Sequence, residues 1–335
     1  MRGPRALTVR EISAVLKNLS LKRRCDFLME NVDGGILLID KQEGETSHDV
    51  VQSVRKALST RKVGHAGTLD PFATGLLVLL VGRCTKLSAF ITEEHKTYEA
   101  LVRFGVETDT YDKTGKVTRE ADPSAIKRQD LEQILSAFTG EIDQVPPPFS
   151  AVKVKGRRAY EMARKGKEVE LPPRRVFVYE LVLEEFEIPF ARLRLRCSSG
   201  TYVRSLASDL GKLMGCGAHL SELRRTQIGS FHVEQAISST AILKYSAEAL
   251  RARLINPIQA LAQMAEVEIT KSMAEKVRKG YRPTANELGI KPLTSQKNKG
   301  FIKLVCDGQL VAVASTRGSS ADKTNNVVTL KRVFS

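Results

Sequence analysis

Asp70 lies in the run Gly64-His65-Ala66-Gly67-Thr68-Leu69-Asp70-Pro71-Phe72-Ala73-Thr74-Gly75, and the apolar stretch Leu76-Leu77-Val78-Leu79-Leu80-Val81 follows at once. Glycine and proline at this density exclude regular structure, whereas the branched run behind them is long enough for a buried strand. The sequence therefore sets a carboxylate on a stiff loop at the mouth of a core. Pro71 pushes Asp70 towards extended backbone and limits where its side chain can point. A carboxylate held in this way can act as nucleophile or base. An Asp-Pro pair also serves simply to close a turn, and the loop alone leaves both readings open.

The elements around the loop follow from periodicity. Ile36 to Ile39 reads as a short buried strand. Ser47 can cap a helix to Leu58 that lines up Val50, Val51, Val54 and Leu58. The chain then enters the Asp70 loop and the Leu76–Val81 strand, and a helix follows to Ile91. Tyr98 to Phe104 alternates as a strand, Thr108 to Gly115 is a turn rich in Asp and Thr, and Ser124 to Phe138 has an amphipathic helical pattern. Val145-Pro146-Pro147-Pro148-Phe149-Ser150 cannot continue it. Val176–Glu184 and Ala191–Cys197 read as paired strands, the second with Arg192, Arg194 and Arg196 on one face. Ser198-Ser199-Gly200-Thr201 caps a helix carrying Tyr202, Arg204, Leu206 and Leu210, and Leu223 to Gly229 resembles a strand entry. Thr240 to Glu266 is expected to be helical, broken at Pro257. Asp307-Gly308 joins two short strands in a hairpin.

At 335 residues the chain suggests two domains. Lys and Arg outnumber Asp and Glu by 53 to 38, a net charge of +15 that points to a polyanionic partner, nucleic acid first. From Lys276 to Ser335 there are 12 basic and 3 acidic residues, so the C-terminal sixth carries more than half of the excess. A second basic stretch, Lys153 to Arg175, is bounded by prolines and suits phosphate contact or plain solvation. Residues 1–30 form a basic arm that either meets RNA or does nothing. The five cysteines lack any C-x-x-C pair, which argues against a disulfide framework or zinc knuckle and for a reducing compartment. No histidine lies at metal-ligand spacing from another. With no long apolar run, a soluble, cytoplasmic protein is expected.

These pieces meet in one family. The Gly64–Gly75 loop, Lys96-Thr97-Tyr98, Gly200-Thr201-Tyr202-Val203-Arg204-Ser205-Leu206 with Asp209-Leu210-Gly211, and Leu223-Arg224-Arg225-Thr226 with Gly229 resemble, in order and spacing, the motifs of TruB-type pseudouridine synthases. Leu37-Leu38-Ile39-Asp40-Lys41, Thr46 to Val51, Val145 to Val152 and Leu213 to Leu220 match too. The resemblance covers about residues 33 to 235. Gln42 stands where the family usually has proline, and the first 30 residues have no clear counterpart.

The resemblance implies an α+β fold, a mixed, largely antiparallel sheet flanked by helices with a small β-rich PUA-like C-terminal domain. It divides the chain into a basic extension (1–30), a catalytic domain (31–268) with a basic RNA-binding insertion around 105–175, and an RNA-binding domain (269–335). The implied activity is isomerisation of the T-loop uridine of tRNA, at position 55, to pseudouridine, without metal or organic cofactor. It needs no obligate protein partner and no membrane, and a monomer is expected. Asp70 would be the catalytic carboxylate, aimed by Arg204. Tyr98 would stack on the flipped base and assist proton transfer, with Tyr202 beside it. Leu223 would close the apolar wall and His65 would fill the space the nucleotide leaves, while Arg83 and Lys86 join the phosphate contacts. Two rivals stand beside it: a relative that works with a guide RNA, and a tRNA-folding chaperone that uses the same cleft. Phosphoryl transfer through an aspartyl intermediate finds no D-x-D and no P-loop.

Overall fold

The computed structural model describes residues 34–150, 152–154, 156–159, 162, 171–290, 300–315 and 328–334. The N-terminal arm and most of the basic stretch 151–170 lie outside the described residues. Among the described residues the strands are, in chain order, β1 Gly34–Lys41, β2 Val63–His65, β3 Thr74–Gly82, β4 Lys96–Phe104, β5 Val106–Thr108, β6 Val117–Glu120, β7 Gly140–Gln144, β8 Lys153–Val154, β9 Arg157–Arg158, β10 Arg174–Glu187, β11 Phe190–Cys197, β12 Ala218–Ile228, β13 Phe231–His232, β14 Ile237–Ser238, β15 Ala265–Glu268, β16 Phe301–Cys306, β17 Gln309–Ser315 and β18 Thr329–Val333. The main sheet runs β14-β1-β3-β12-β4-β11-β10-β7, with β2 on β3 and β13 on β12. Its pairings are antiparallel except β1 with β14 and β3 with β12.

β1 and β3 are buried on both faces, which is why their sequences read as unbroken apolar runs rather than alternations. Ile36, Leu38, Val78 and Leu80 pack towards one side, Leu37, Ile39, Leu77 and Leu79 towards the other. The second layer receives Val50, Val51 and Val54 of helix α1 (Ser47–Ala57). Thr46, not Ser47, caps that helix: its hydroxyl accepts from the Asp49 amide at 3.1 Å while the Asp49 carboxylate accepts from the Thr46 amide at 2.9 Å. Ser47 is thereby free for another task, described below. A short helix, α2 (Ser88–Thr92), leads into β4. There Tyr98, Ala100, Val102 and Phe104 share a core with Leu193 and Leu195 of β11, helix α3 (Arg128–Ala137) and helix α4 (Val203–Leu213).

α3 starts four residues later than its pattern suggests, because the Asp122 carboxylate takes the Ser124 amide at 2.9 Å and holds a turn there. The expected helix over 240–266 is instead three short helical pieces, a 3-10 turn at Ser239–Lys244 and α-helices at Ala247–Arg251 and Pro257–Ala260, followed by β15. Ser246 and Asn256 each cap a new start, Pro257 occupies the first turn of the last piece, and β15 pairs with β16. β15 to β18 form a second, four-stranded sheet carrying the helix Lys271–Arg278. It is not a free appendage: Leu310, Val313 and Phe334 share a core cluster with β1 and β3, and the Lys303 ammonium donates to the Ile258 carbonyl at 3.0 Å. None of the described helices is long and apolar enough to cross a membrane.

The reciprocal cap at α1 yields the first prediction. Thr46→Ala should cost about 1 kcal/mol of stability, read as a lower denaturant midpoint with unchanged slope.

Candidate active site

The loop between β2 and β3 is irregular because glycine and proline forbid a ladder, so its carbonyls and amides must find partners elsewhere. Buried cations and a buried serine supply them. The Lys41 ammonium, fully enclosed, donates to the carbonyls of Gln42, Glu45 and Pro71 at 2.9, 2.8 and 3.2 Å. The Arg225 guanidinium donates to Leu76 at 2.8 Å, Gly67 at 3.0 Å and Thr68 at 3.4 Å. Ser47 accepts from the Leu69 amide at 2.9 Å and donates to the Leu69 carbonyl at 3.0 Å. The Gly67, Thr68, Leu69, Pro71 and Leu76 partners all lie within six residues of Asp70. Gly75 makes the approach possible: its φ is +97°, and a Cβ there would sit 2.3 Å from the Arg225 carbonyl.

Arg204 meets Asp70 from the first turn of α4. Its Nε lies 2.9 Å from one carboxylate oxygen and Nη2 lies 3.4 Å from the other. The remaining N–H groups go to the Phe149 carbonyl at 3.0 Å, the Thr110 carbonyl at 3.0 Å and the Asp112 carboxylate at 3.4 Å. The guanidinium thus makes three hydrogen bonds and pairs with both carboxylates. Arg204 keeps 6% of its side chain exposed, Asp112 5% and Asp70 37%, so the catalytic candidate alone faces outwards.

The N-terminus of α4 is set by Gln144, whose side-chain oxygen accepts the Tyr202 amide at 2.7 Å while its nitrogen donates to the Tyr202 carbonyl at 2.9 Å. The expected Ser198–Thr201 cap is replaced by this clamp, and Thr201 closes the preceding turn on the Ser198 carbonyl at 3.0 Å. Asp112 is held in its turn by the hydroxyls of Thr110 and Thr114 at 2.8 and 2.6 Å, next to Tyr111 at φ +63°.

Burial pushes the Asp70 carboxyl above the ordinary aspartate range; Arg204 pulls it back, and Asp112 pushes it up again. Tyr98 is buried in the core cluster with Leu69, Phe72 and Leu223, and burial raises its phenol against the opposing pull of Arg225. Tyr202, partly buried, is also raised by burial, with Arg174 pulling down. The His65 ring is lowered by burial and by Arg225, so it is neutral at pH 7, and its buried Nδ1 has no hydrogen-bond partner among the described residues.

The structure therefore brings Asp70, Arg204, Tyr98, Tyr202 and Leu223 to one place, with His65 at the start of the same loop. Arg83 and Lys86 lie past the other end of β3, about 27 Å of strand from Thr74 at the usual rise per residue. Lys86 there donates to the Val333 carbonyl at 2.9 Å and stands over the Phe334 ring, tying the second sheet to the first. Sequence reasoning gives no role to Asp112, Gln144, Lys41 or Arg225, and gives Ser47 only that of a helix cap. Lys41 and Arg225 stood inside matched motifs and Asp112 inside a turn noted only for its composition.

The fold and site define a nucleobase isomerase of the pseudouridine synthase class. The model of the TruB family pseudouridylate synthase N-terminal domain matches residues 55–203, and that of the tRNA pseudouridylate synthase B C-terminal domain matches 204–263. The chain belongs to the TruB family of pseudouridylate synthases. It is 45% identical over 281 residues to tRNA pseudouridine synthase B of Solibacter usitatus, covering 83% of this chain and 94% of the relative. To tRNA pseudouridine synthase B of Geobacter sulfurreducens it is 43% identical, covering 90% and 99%. Among solved structures it is similar to a chain of a Cbf5-Nop10-Gar1 complex, with a TM-score of 0.70 and 27% identity over 92% of this chain and 87% of that one.

Since Asp112 holds the Asp70 proton more tightly, neutralising it has a signed effect. Isomerisation that needs ionised Asp70 should fall with decreasing pH, with a midpoint above about 3.9, the ordinary aspartate value. Asp112→Asn should move that acid limb to lower pH, as read from single-turnover rates.

Proposed function

We propose that the protein, acting alone and without metal or organic cofactor, converts the T-loop uridine at position 55 of tRNA to pseudouridine. The observation that carries this reading is the Asp70 carboxylate, open on one side and paired on the other with the buried Arg204 guanidinium, itself fixed by the Thr110 and Phe149 carbonyls and the Asp112 carboxylate. The reaction breaks the bond from N1 to C1′, turns the base and joins C5 to C1′. One proton leaves C5 and one arrives at N1, so atoms and electrons balance within the substrate.

Asp70 is the catalytic group, as nucleophile or base. Arg204 aims it and keeps its charge compensated. A uridine inside a loop stack must be extruded, at a cost of a few kcal/mol. Stacking on Tyr98 returns about 1–3 kcal/mol of that, with Tyr202 beside the base, Leu223 as the apolar wall and His65 filling the vacated stack. The overall charge of +15 favours an RNA substrate.

The basic insertion around 105–175 and the PUA-like unit from 269 onwards grip the T-arm and acceptor side through phosphates, with Arg83 and Lys86 assisting. The identities of 45% and 43% to proteins named tRNA pseudouridine synthase B, against 27% to a protein solved within a complex, favour action without a guide. A cytoplasmic monomer fits this reading.

Asp70→Asn should abolish pseudouridine formation in tRNA while keeping affinity within about threefold. Turnover at the parental rate would remove Asp70 from the mechanism. A bare T-arm transcript should be converted with no added RNA; no conversion would refute stand-alone action. Affinity should fall steeply with salt, by about 0.7–0.9 log units per log unit of salt for each phosphate contacted.

A further inference from the structure

Arg225 is among the largest fully enclosed side chains of the protein, 2% exposed on β12. It has no carboxylate within ion-pair distance among the described residues. Among the described residues its hydrogen bonds go to neutral carbonyls, Leu76 through Nε, Thr68 through Nη1 and Gly67 through Nη2. A guanidinium buried this way loses its hydration with no counter-charge in return, which is costly for stability alone. An apolar side chain would fill the same space more cheaply, so what the cation touches is the informative part.

It touches the site from behind. Gly67 and Thr68 are the two residues before the Leu69-Asp70 pair, and Leu76 begins the buried part of β3, so the fork grips both stems of the catalytic loop. Arg225 stands opposite Tyr98 in the β12–β4 register, and its charge acts on the buried Tyr98 phenol. The same charge acts on His65 and Lys41. Arg204 aims the carboxylate; Arg225 reaches the loop, the phenol and the histidine together.

We propose that Arg225 is a positioning residue that holds the Asp70 loop and the Tyr98 phenol in register, so that the carboxylate and the aromatic ring face the same uridine. This rests on the functional reading above. The fork geometry matters as much as the charge: a lysine at this position has the charge but carries its donors on one nitrogen, whereas the guanidinium reaches Leu76, Thr68 and Gly67 from three.

The test compares full-length Arg225→Met and Arg225→Lys with the parent in three measurements: cooperative thermal unfolding, tRNA affinity, and single-turnover pseudouridine formation. Both variants should unfold cooperatively and bind tRNA within about threefold of the parent. Arg225→Met should slow single turnover at least 100-fold, and Arg225→Lys should not restore it. In a Tyr98→Phe background the loss from Arg225→Met should shrink, because the phenol it positions is gone. Single turnover within threefold of the parent in either folded variant overturns the proposal. So does a loss confined to affinity, a loss equally large in the Tyr98→Phe background, or loss of the native fold in both variants, since Arg225 would then hold the body and not the site. A parent protein that makes no pseudouridine refutes the functional reading instead. The proposal is then decided by amide exchange over residues 66–76, which should rise at least tenfold in Arg225→Met and overturns it if unchanged.

Discussion

Three hydrogen bonds and two ion pairs from one guanidinium hold the site together. Arg204 enters from α4 and ends on three separate stretches of chain: the Asp70 loop, the 110–112 turn and the Phe149 carbonyl after the proline run. Because one group serves all three, moving any one stretch leaves a buried charge under-satisfied, a penalty of several kcal/mol. The two carboxylates share one arginine but not one environment. Asp112 is enclosed and hydrogen-bonded to threonines, whereas Asp70 is open, and this difference separates the supporting group from the one proposed to react.

Behind that knot lies a second constraint, the need of an irregular loop for hydrogen bonds. Regular strands satisfy their own backbone; residues 66–73 mostly cannot. Lys41, Ser47 and Arg225 do it for them from β1, α1 and β12. Three elements far apart in the chain therefore converge on one loop, and the loop gains rigidity without gaining secondary structure. Gln42 shows how this network absorbs a change. Where the family usually has proline, its amide donates to the Ser239 hydroxyl at 3.1 Å, and Ser239 in turn bonds to Glu45, so the lost ring stiffness is offset by a contact that proline could not make.

The second sheet is joined to the first by apolar packing and by lysines used as struts. Lys303 reaches the Ile258 carbonyl and the Glu266 carboxylate, and Lys86 reaches the last strand. Part of the positive charge that the composition assigns to a polyanion is thus spent inside the protein. Charge counted from sequence overstates what is left for a ligand, because a cation's partner is set by geometry.

Local signals carried much of the outcome. Unbroken apolar runs marked β1 and β3, alternation marked β4 and β11, and the glycine and proline of the Asp70 loop marked the place where a carboxylate could do chemistry. Motif order added Arg204, Tyr98, Tyr202 and Leu223 as a set. The helix expected over 240–266 is divided into short helical pieces because capping residues inside it restart the chain, and a strand partner claims its end. Ser47 is not the cap because the neighbouring Thr46 fits that role equally well on sequence alone. What the sequence by itself determined was which segment holds a carboxylate on restricted backbone, since backbone restriction is a property of adjacent residues. Which residues buttress that segment was decided only by the tertiary structure. A guanidinium or ammonium declares its partners by position in space, and the carbonyls that Lys41, Arg204 and Arg225 satisfy are the same atom in every residue of the chain.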